Sequence, residues 1–120
     1  MHPFTEEQMR GYVEGFKARA AAKEARRREL EARAKEVAGR CAARLGTIPE
    51  VTRVLLYGSL AKGSDIDLAV EGLPAESYFR TWGELDSDAK LKVDLRRVEE
   101  LSEDFRRLIT SYAQVLYACA

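Results

Sequence analysis

Asp65 and Asp67, spaced i and i+2, and Asp94 in a Lys92-Val93-Asp94-Leu95 run are the side chains of this chain best suited to chemistry. In Ile66-Asp67-Leu68-Ala69-Val70 the alternation puts Ile66, Leu68 and Val70 on one strand face. Asp65 and Asp67 share the other face, roughly 6–7 Å apart along the chain. The same rule turns Leu91, Val93 and Leu95 inward and Asp94 outward. If the two strands pair, three carboxylates meet on one exposed face. Hard oxygen donors of that kind suit Mg²⁺, which keeps waters and bridges to substrate phosphates. Two such ions can stabilise both the attacking and the leaving oxygen of an in-line displacement. An acidic pair alone is also what a solvated strand face carries. The acid on a second strand and the Gly-Ser pair upstream tip the reading to phosphoryl transfer.

Gly58-Ser59 follows Val54-Leu55-Leu56-Tyr57, an apolar run that reads as a buried strand. Glycine there lets the backbone turn sharply and approach a ligand closely. Ser59 stands where a helix could begin, and the free N–H groups of a helix N-terminus attract phosphate oxygens. Its hydroxyl also suits an ordinary N-cap, and one residue can fill both roles. Lys62 can meet a phosphate as a point charge or stand as a plain surface lysine.

Gly58-Ser59, Asp65-x-Asp67 and Asp94, in that order, resemble the signature of the DNA polymerase β-like nucleotidyltransferase superfamily. The resemblance covers about residues 51–118 and is closest to the minimal nucleotidyltransferases (MNT) of bacteria and archaea. It implies that Asp65, Asp67 and Asp94 are catalytic metal ligands for Mg²⁺, two ions being possible, with Asp94 assisting the attacking hydroxyl. It implies that Gly58, Ser59, Lys62 and Gly63 bind the triphosphate of ATP. Such proteins are typically antitoxins encoded beside a helical HEPN-domain toxin, and some transfer AMP to a tyrosine of that partner. One feature departs from the pattern. Gly63 runs through Ser64 straight into Asp65, so Ser59 and Asp65 are six positions apart and the loop between them is short. A short loop weakens nucleotide binding or changes which nucleotide fits.

The elements that position these residues follow from pattern. Residues 5–45 lack proline and are rich in Ala, Glu, Arg and Lys, the strong helix formers. Thr5 with Gln8 forms a capping box, and Gly46 with Pro49 ends the helix. Unbroken, it is about 60 Å long. Leu30, Ala34, Val37, Cys41 and Leu45 recur at helical spacing and should pack on the sheet. Phe4, Met9, Tyr12, Val13 and Phe16 form a second patch, set apart by the polar stretch 17–29. A second copy of the chain or a helical partner would cover it, Tyr12, Val13 and Phe16 being the interface residues. The competing arrangement breaks the helix near Gly15 or within 20–25 and folds it back.

Beyond the strand 66–71, Gly72 and Pro74 mark a turn. Residues 75–86 read as a helix with Tyr78, Phe79, Trp82 and Leu85 on one face, Trp82 serving as a core or interface aromatic in preference to a base-stacking one. A strand at 90–96 precedes the N-cap Ser102-Glu103-Asp104 and a last helix over 103–117. The expected order is α-β-α-β-α-β-α. It describes an α/β (α+β) fold with a short mixed sheet, helices on one face, and a polymerase β-like palm core behind a long N-terminal helix. Residues 1–46 form that helix and 47–120 the nucleotidyltransferase core, within one domain.

Composition bounds the rest. Twenty acidic and twenty basic side chains cancel, so no general attraction to nucleic acid follows. The arginines of 17–40 alternate with Glu24, Glu29 and Glu31, which favours a solvated helix with i,i+4 pairs over an RNA-binding arm. Cys41 and Cys119 lack metal spacing, and the one histidine is His2, so zinc and Cys-His chemistry are unsupported. No apolar run approaches membrane-spanning length and no signal peptide shows, which predicts a soluble, cytoplasmic protein. The expected activity is Mg²⁺-dependent transfer of AMP from ATP to a hydroxyl, a tyrosine of a HEPN-type partner by resemblance. Two other readings stand beside it. The chain could be a binding module that neutralises a partner by contact, or an enzyme acting on a small molecule, as aminoglycoside nucleotidyltransferases do.

Overall fold

The structure, a computed structural model, describes residues 5–60 and 65–119. Lys62 and Gly63 of the expected triphosphate loop, and Phe4 of the apolar patch, lie outside the described residues. Helix α1 runs unbroken over Glu6–Gly46, 41 residues or about 61 Å. It begins on the expected capping box, with Gln8 N donating to Thr5 Oγ1 at 3.1 Å and Thr5 N to Gln8 Oε1 at 2.8 Å. Gly15 and the stretch 20–25 do not break it. Ion pairs lace its middle: Glu24 with Arg27 (2.8 Å) and Arg28 (3.3 Å), and Glu31 with Arg27 (3.0 Å) and Lys35 (3.8 Å). Part of the basic stretch is thus paired within its own helix, and exposed pairs of this kind add little to stability.

Four strands follow: β1 (Arg53–Leu56), β2 (Asp65–Glu71), β3 (Lys92–Arg97) and β4 (Gln114–Ala118), in the order β3-β2-β1-β4. β1 pairs antiparallel with β2 and β4, and β2 pairs parallel with β3, so the sheet is mixed as expected. Between β2 and β3 the chain turns at Gly72 (φ +92°), where a Cβ would lie 2.1 Å from the Glu50 carbonyl oxygen. Only glycine fits there. It then forms α2 (Tyr78–Asp88), preceded by a 3-10 turn at Ala75–Ser77.

The C-terminal region differs from expectation. Helix α3 spans Glu103–Tyr112, capped by Ser102, and the chain then becomes β4. Val115 and Leu116 fit a continued helical period, which is why 103–117 reads as one helix. The second edge of β1 decides otherwise: Leu56, Leu55 and Val54 pair with Gln114, Val115 and Tyr117, satisfying main-chain groups that a longer helix would leave bare. The order therefore ends on a strand. The helix expected directly after Ser59 is not seen at 57–60, and 61–64 lie outside the described residues.

α1 and α2 cover one sheet face. Ala34, Val37, Ala38, Cys41 and Leu45 pack with Val54, Leu56, Ile66, Leu68, Val70, Val93 and Leu95. Leu30, expected among them, is half-buried. Phe79, expected on the packed face of α2, is 76% exposed instead. The opposite face is not wholly open, as it would be with helices on one side only. Ile109 of α3 and Val98 close over Leu55 and Ala69 in a small second core. Tyr57 packs at the rim of this second core, toward the carboxylate end of that face.

The direction of α1 sets which end of the sheet its free part passes. Gly46 lies against Tyr117, which pairs with Val54, whereas Lys35 and Ala38 lie beside Leu56, Leu60 and Gln114. Traced toward its N-terminus, α1 therefore passes the Leu56–Leu60 end of β1 and continues outward. Met9 (46%), Tyr12 (71%), Val13 (48%) and Phe16 (65%) are exposed on this projecting part, in a molecule 71 Å long and 31 Å wide.

Candidate active site

Sheet register builds the site. In the parallel β2–β3 pair, Asp67 stands directly opposite Asp94, and Asp65 opposite Lys92. Neighbouring strands lie about 4.8 Å apart, so Asp67 and Asp94 are side by side on the face opposite the main core. Both are half-buried, while Asp65, the first residue of β2, is exposed. Burial raises the Asp67 carboxyl above its ordinary value, and the charges of Asp94 and then Asp65 raise it further. Asp67 thus senses both of the other acids electrostatically. Among the described residues, however, no three metal-ligating side chains close into one cluster, so the structure assembles the Asp67–Asp94 pair with Asp65 beside it.

β1 delivers the glycine. Tyr57 N donates to Asp67 O at 3.1 Å, extending the β1–β2 ladder to the edge of the site. A Cβ on Gly58 would lie 2.0 Å from Asp67 Oδ2 and 2.9 Å from Asp67 Cβ. Gly58 is therefore required by the position of the Asp67 carboxylate, whatever ligand it also admits. Ser59 is exposed beside it, at the mouth of the segment leading to Asp65.

Two residues of the site escape the sequence reading. Tyr57 is half-buried with its ring edge-on to Phe105, centroids 5.9 Å apart. Burial, then the charges of Asp94 and Asp67, push its phenol up to about 12, so it stays protonated. Arg96, two residues beyond Asp94 on the same face, reaches Asp94 with Nε 3.7 Å from Oδ2 and lies close enough to the Tyr57 phenol to favour its charged form. The alternation that picks out Asp94 also places Arg96 and Lys92 on its face, a signal present in the sequence. Tyr57 reads as part of a buried run. The strand ends at Leu56, and Tyr57 turns toward the acids.

The opposite face offers a cavity of about 200 Å³ between α1 and α2, lined by Val37, Cys41, Leu85 and Ala89 with the Arg44–Asp88 ion pair at its rim. It holds no converging acids. At the carboxylate end, by contrast, oxygen donors, a glycine cradle and a cationic side chain share a few residues of sheet.

No family model and no curated protein matches this sequence. Solved structures do match. One is a tri-AMPylated Shewanella oneidensis HEPN toxin in complex with MNT antitoxin: TM-score 0.57, 22% identity, covering 70% of this chain and 72% of the other. A toxin–antitoxin with AMP-PNP aligns at TM-score 0.56 and 23% identity, over 68% of this chain and 73% of the other. A variant of the MntA–HepT toxin–antitoxin, with two aspartates spaced i and i+2 both changed to glutamate, aligns at TM-score 0.54 and 21% identity, over 64% and 70%. This chain has the MNT nucleotidyltransferase fold. Within that fold, the mixed sheet sets Asp67 and Asp94 in register, and the long α1 precedes it. No helix among the described residues is long and apolar enough to cross a membrane.

Proposed function

We propose that this protein is a Mg²⁺-dependent nucleotidyltransferase that moves AMP from ATP to a hydroxyl, a tyrosine of a HEPN-type partner, and so acts as its antitoxin. The observation that carries the reading is the in-register Asp67–Asp94 pair with Gly58 seated against the Asp67 carboxylate. The fold it shares with toxin–antitoxin structures, one tri-AMPylated and one holding AMP-PNP, points to adenylate as the transferred group and a helical toxin as the partner.

The residues fit the metal by the chemistry of their donors. Asp67 and Asp94 are hard oxygen ligands whose mutual repulsion a divalent cation relieves, and Asp65 stands ready beside them. Bound there, Mg²⁺ supplies charge neutralisation for the triphosphate and the departing pyrophosphate. Gly58 opens the backbone to the phosphates, and Ser59 with the 61–64 segment, including Lys62 and Gly63, holds them. Asp94 takes the proton of the acceptor hydroxyl as its oxygen attacks the α-phosphorus. The bond to the β-phosphate oxygen breaks and pyrophosphate leaves. Arg96 lies beside Asp94, where it balances the negative charge of the face. Positioning and electrostatics supply the rate.

The projecting part of α1 suits a docking arm for the acceptor. It carries Tyr12, Val13 and Phe16 past the same end of β1 that holds Gly58, at the site's own end of the molecule. A partner gripped there is presented to Asp94.

Purified protein with Mg²⁺ and ATP labelled at either the α- or the γ-phosphate, and lysate of the source organism as acceptor, tests the reading. Label on a protein band from α-labelled ATP alone, lost in Asp67→Asn, is the expected result. A partner that binds wild type and Asp67→Asn equally, with no label in either, would establish the second reading, neutralisation by contact. The open Asp65 and the short Ser59–Asp65 segment favour that alternative.

A further inference from the structure

β3 is an edge strand that carries half of the site. Asp94 lies directly opposite Asp67, and like charges directly opposite on paired strands push those strands apart. On its inner side β3 is held by β2 alone. Its outer main-chain groups, at Val93 and Leu95, flank Asp94 and face away from β2, where an edge strand ordinarily meets water or another chain.

Here α2 lies along that edge. Trp82 Nε1 donates to the Val93 carbonyl at 2.7 Å, and Asp86 Oδ1 accepts from the Val93 amide at 2.9 Å. The Tyr78 hydroxyl donates to the Leu95 carbonyl. Tyr78, Trp82 and Asp86 are spaced i, i+4, i+8 and so form one stripe of the helix. The Tyr78 and Trp82 rings lie 5.7 Å apart and rest on the main core. Beyond Leu95, Arg97 Nε donates to the Leu73 carbonyl at 2.9 Å, fixing the end of the strand.

We propose that Tyr78, Trp82 and Asp86 are positioning residues that clamp the outer edge of β3 and hold the Asp94 carboxylate beside Asp67. The clamp rests on the nucleotidyltransferase reading for its effect on rate, but not for its effect on the strand. It works because a site side chain must be held within about 0.5 Å of its productive place, and a single parallel neighbour strained by charge repulsion does not ensure that. α2 resists the repulsion from the other side through main-chain bonds.

The test pairs variants that keep volume with variants that do not. Trp82→Phe keeps a ring on the core and removes the donor, Asp86→Ala removes the acceptor, and Asp86→Asn retains a carbonyl oxygen for Val93 N–H. Arg80→Ala, exposed on α2 and outside the stripe, is the control. Amide hydrogen exchange of the folded proteins should quicken at Val93–Leu95 in Trp82→Phe and Asp86→Ala, and stay at the wild-type rate in Asp86→Asn and Arg80→Ala. In the transfer assay the first two should lose about tenfold in kcat with the KM for ATP unchanged, and Asp86→Asn should recover most of it. Unchanged exchange at 93–95 in both disruptive variants overturns the clamp. So does quicker exchange with no change in kcat in an active wild type. If wild-type protein transfers nothing, the activity reading fails by itself, and the exchange data then decide the clamp alone.

Discussion

The two faces of the sheet are built from the same strands and obey different rules. On the covered face Val54, Leu56, Ile66, Leu68, Val70, Val93 and Leu95 interlock with α1 and α2, and each is buried. On the other face Asp65, Asp67, Asp94, Arg96 and Tyr57 crowd one end, where burial and the charges of Asp94 and Asp65 disfavour the charged form of Asp67. One face is given wholly to packing, and the other crowds like charges at one end. Stability and activity should therefore separate cleanly between neighbouring residues of β2.

Asp67→Asn and Leu68→Ala make the sharpest contrast. The first should lower AMP transfer by about a thousandfold with the unfolding midpoint unchanged or raised, because it removes a charge that repels Asp94. The second should cost about 2–5 kcal/mol, Leu68 being fully buried, with transfer per folded molecule preserved. Urea unfolding beside the labelled-ATP assay checks both. Equal losses of stability in the two variants would erase the distinction between the faces.

Two glycines sharpen it further. Gly58→Ala drives a methyl against the Asp67 carboxylate and to 2.9 Å from its Cβ, displacing that side chain, so transfer should fall by about a hundredfold at a stability cost of about 1 kcal/mol. Gly72→Ala meets the Glu50 carbonyl, which is backbone, at a left-handed φ. It should cost about 1–3 kcal/mol and leave the KM for ATP untouched. Thermal unfolding and steady-state kinetics on the pair distinguish a glycine kept for the site from one kept for the turn.

α1 repeats the comparison within a single helix. Ala34, Val37 and Cys41 are in the core, whereas Val13 and Phe16 are exposed some 30 Å away along the axis. Phe16→Ala should leave the unfolding midpoint within about 0.5 kcal/mol of wild type and weaken partner capture by about tenfold. Titration calorimetry with the purified partner measures that. Unaltered affinity would remove α1 from the docking surface.

How far the sequence reached follows the same division. The core face was legible because a period of two is a strong signal when one side is buried, and α1 was legible through its capping box and propensity. The same alternation turned Asp67 and Asp94 outward, but it could not show that their strands pair, which the β2–β3 register does. β4 was missed because Val115 and Leu116 satisfy a helical period, and only the bare edge of β1, a contact some sixty residues away in sequence, turns them into a strand. The role of Trp82 was missed for a related reason: spacing shows which face a residue shares, not that its indole reaches the carbonyl of Val93.

The mildest consequence of the crowded face is its pH dependence. Asp67 has its folded pKa raised above the ordinary 3.8 by burial and by Asp94 and Asp65. Between 3.8 and that raised value the folded protein binds more protons at this site than the unfolded chain, so its contribution to stability falls as pH rises through the window. Below the window the site contributes no penalty, and above it the penalty is complete and constant. Asp67→Asn cannot titrate. Its unfolding midpoint should therefore track wild type at the acid end and rise above it across the window, with the gap holding toward neutral pH. Mg²⁺ should then narrow the gap by stabilising wild type alone, because the cation offsets the repulsion that the asparagine has already removed. A gap that is constant from about pH 3 to 7 would show that Asp67 carries no electrostatic strain. The acid face would then owe its cost to something other than crowded charge.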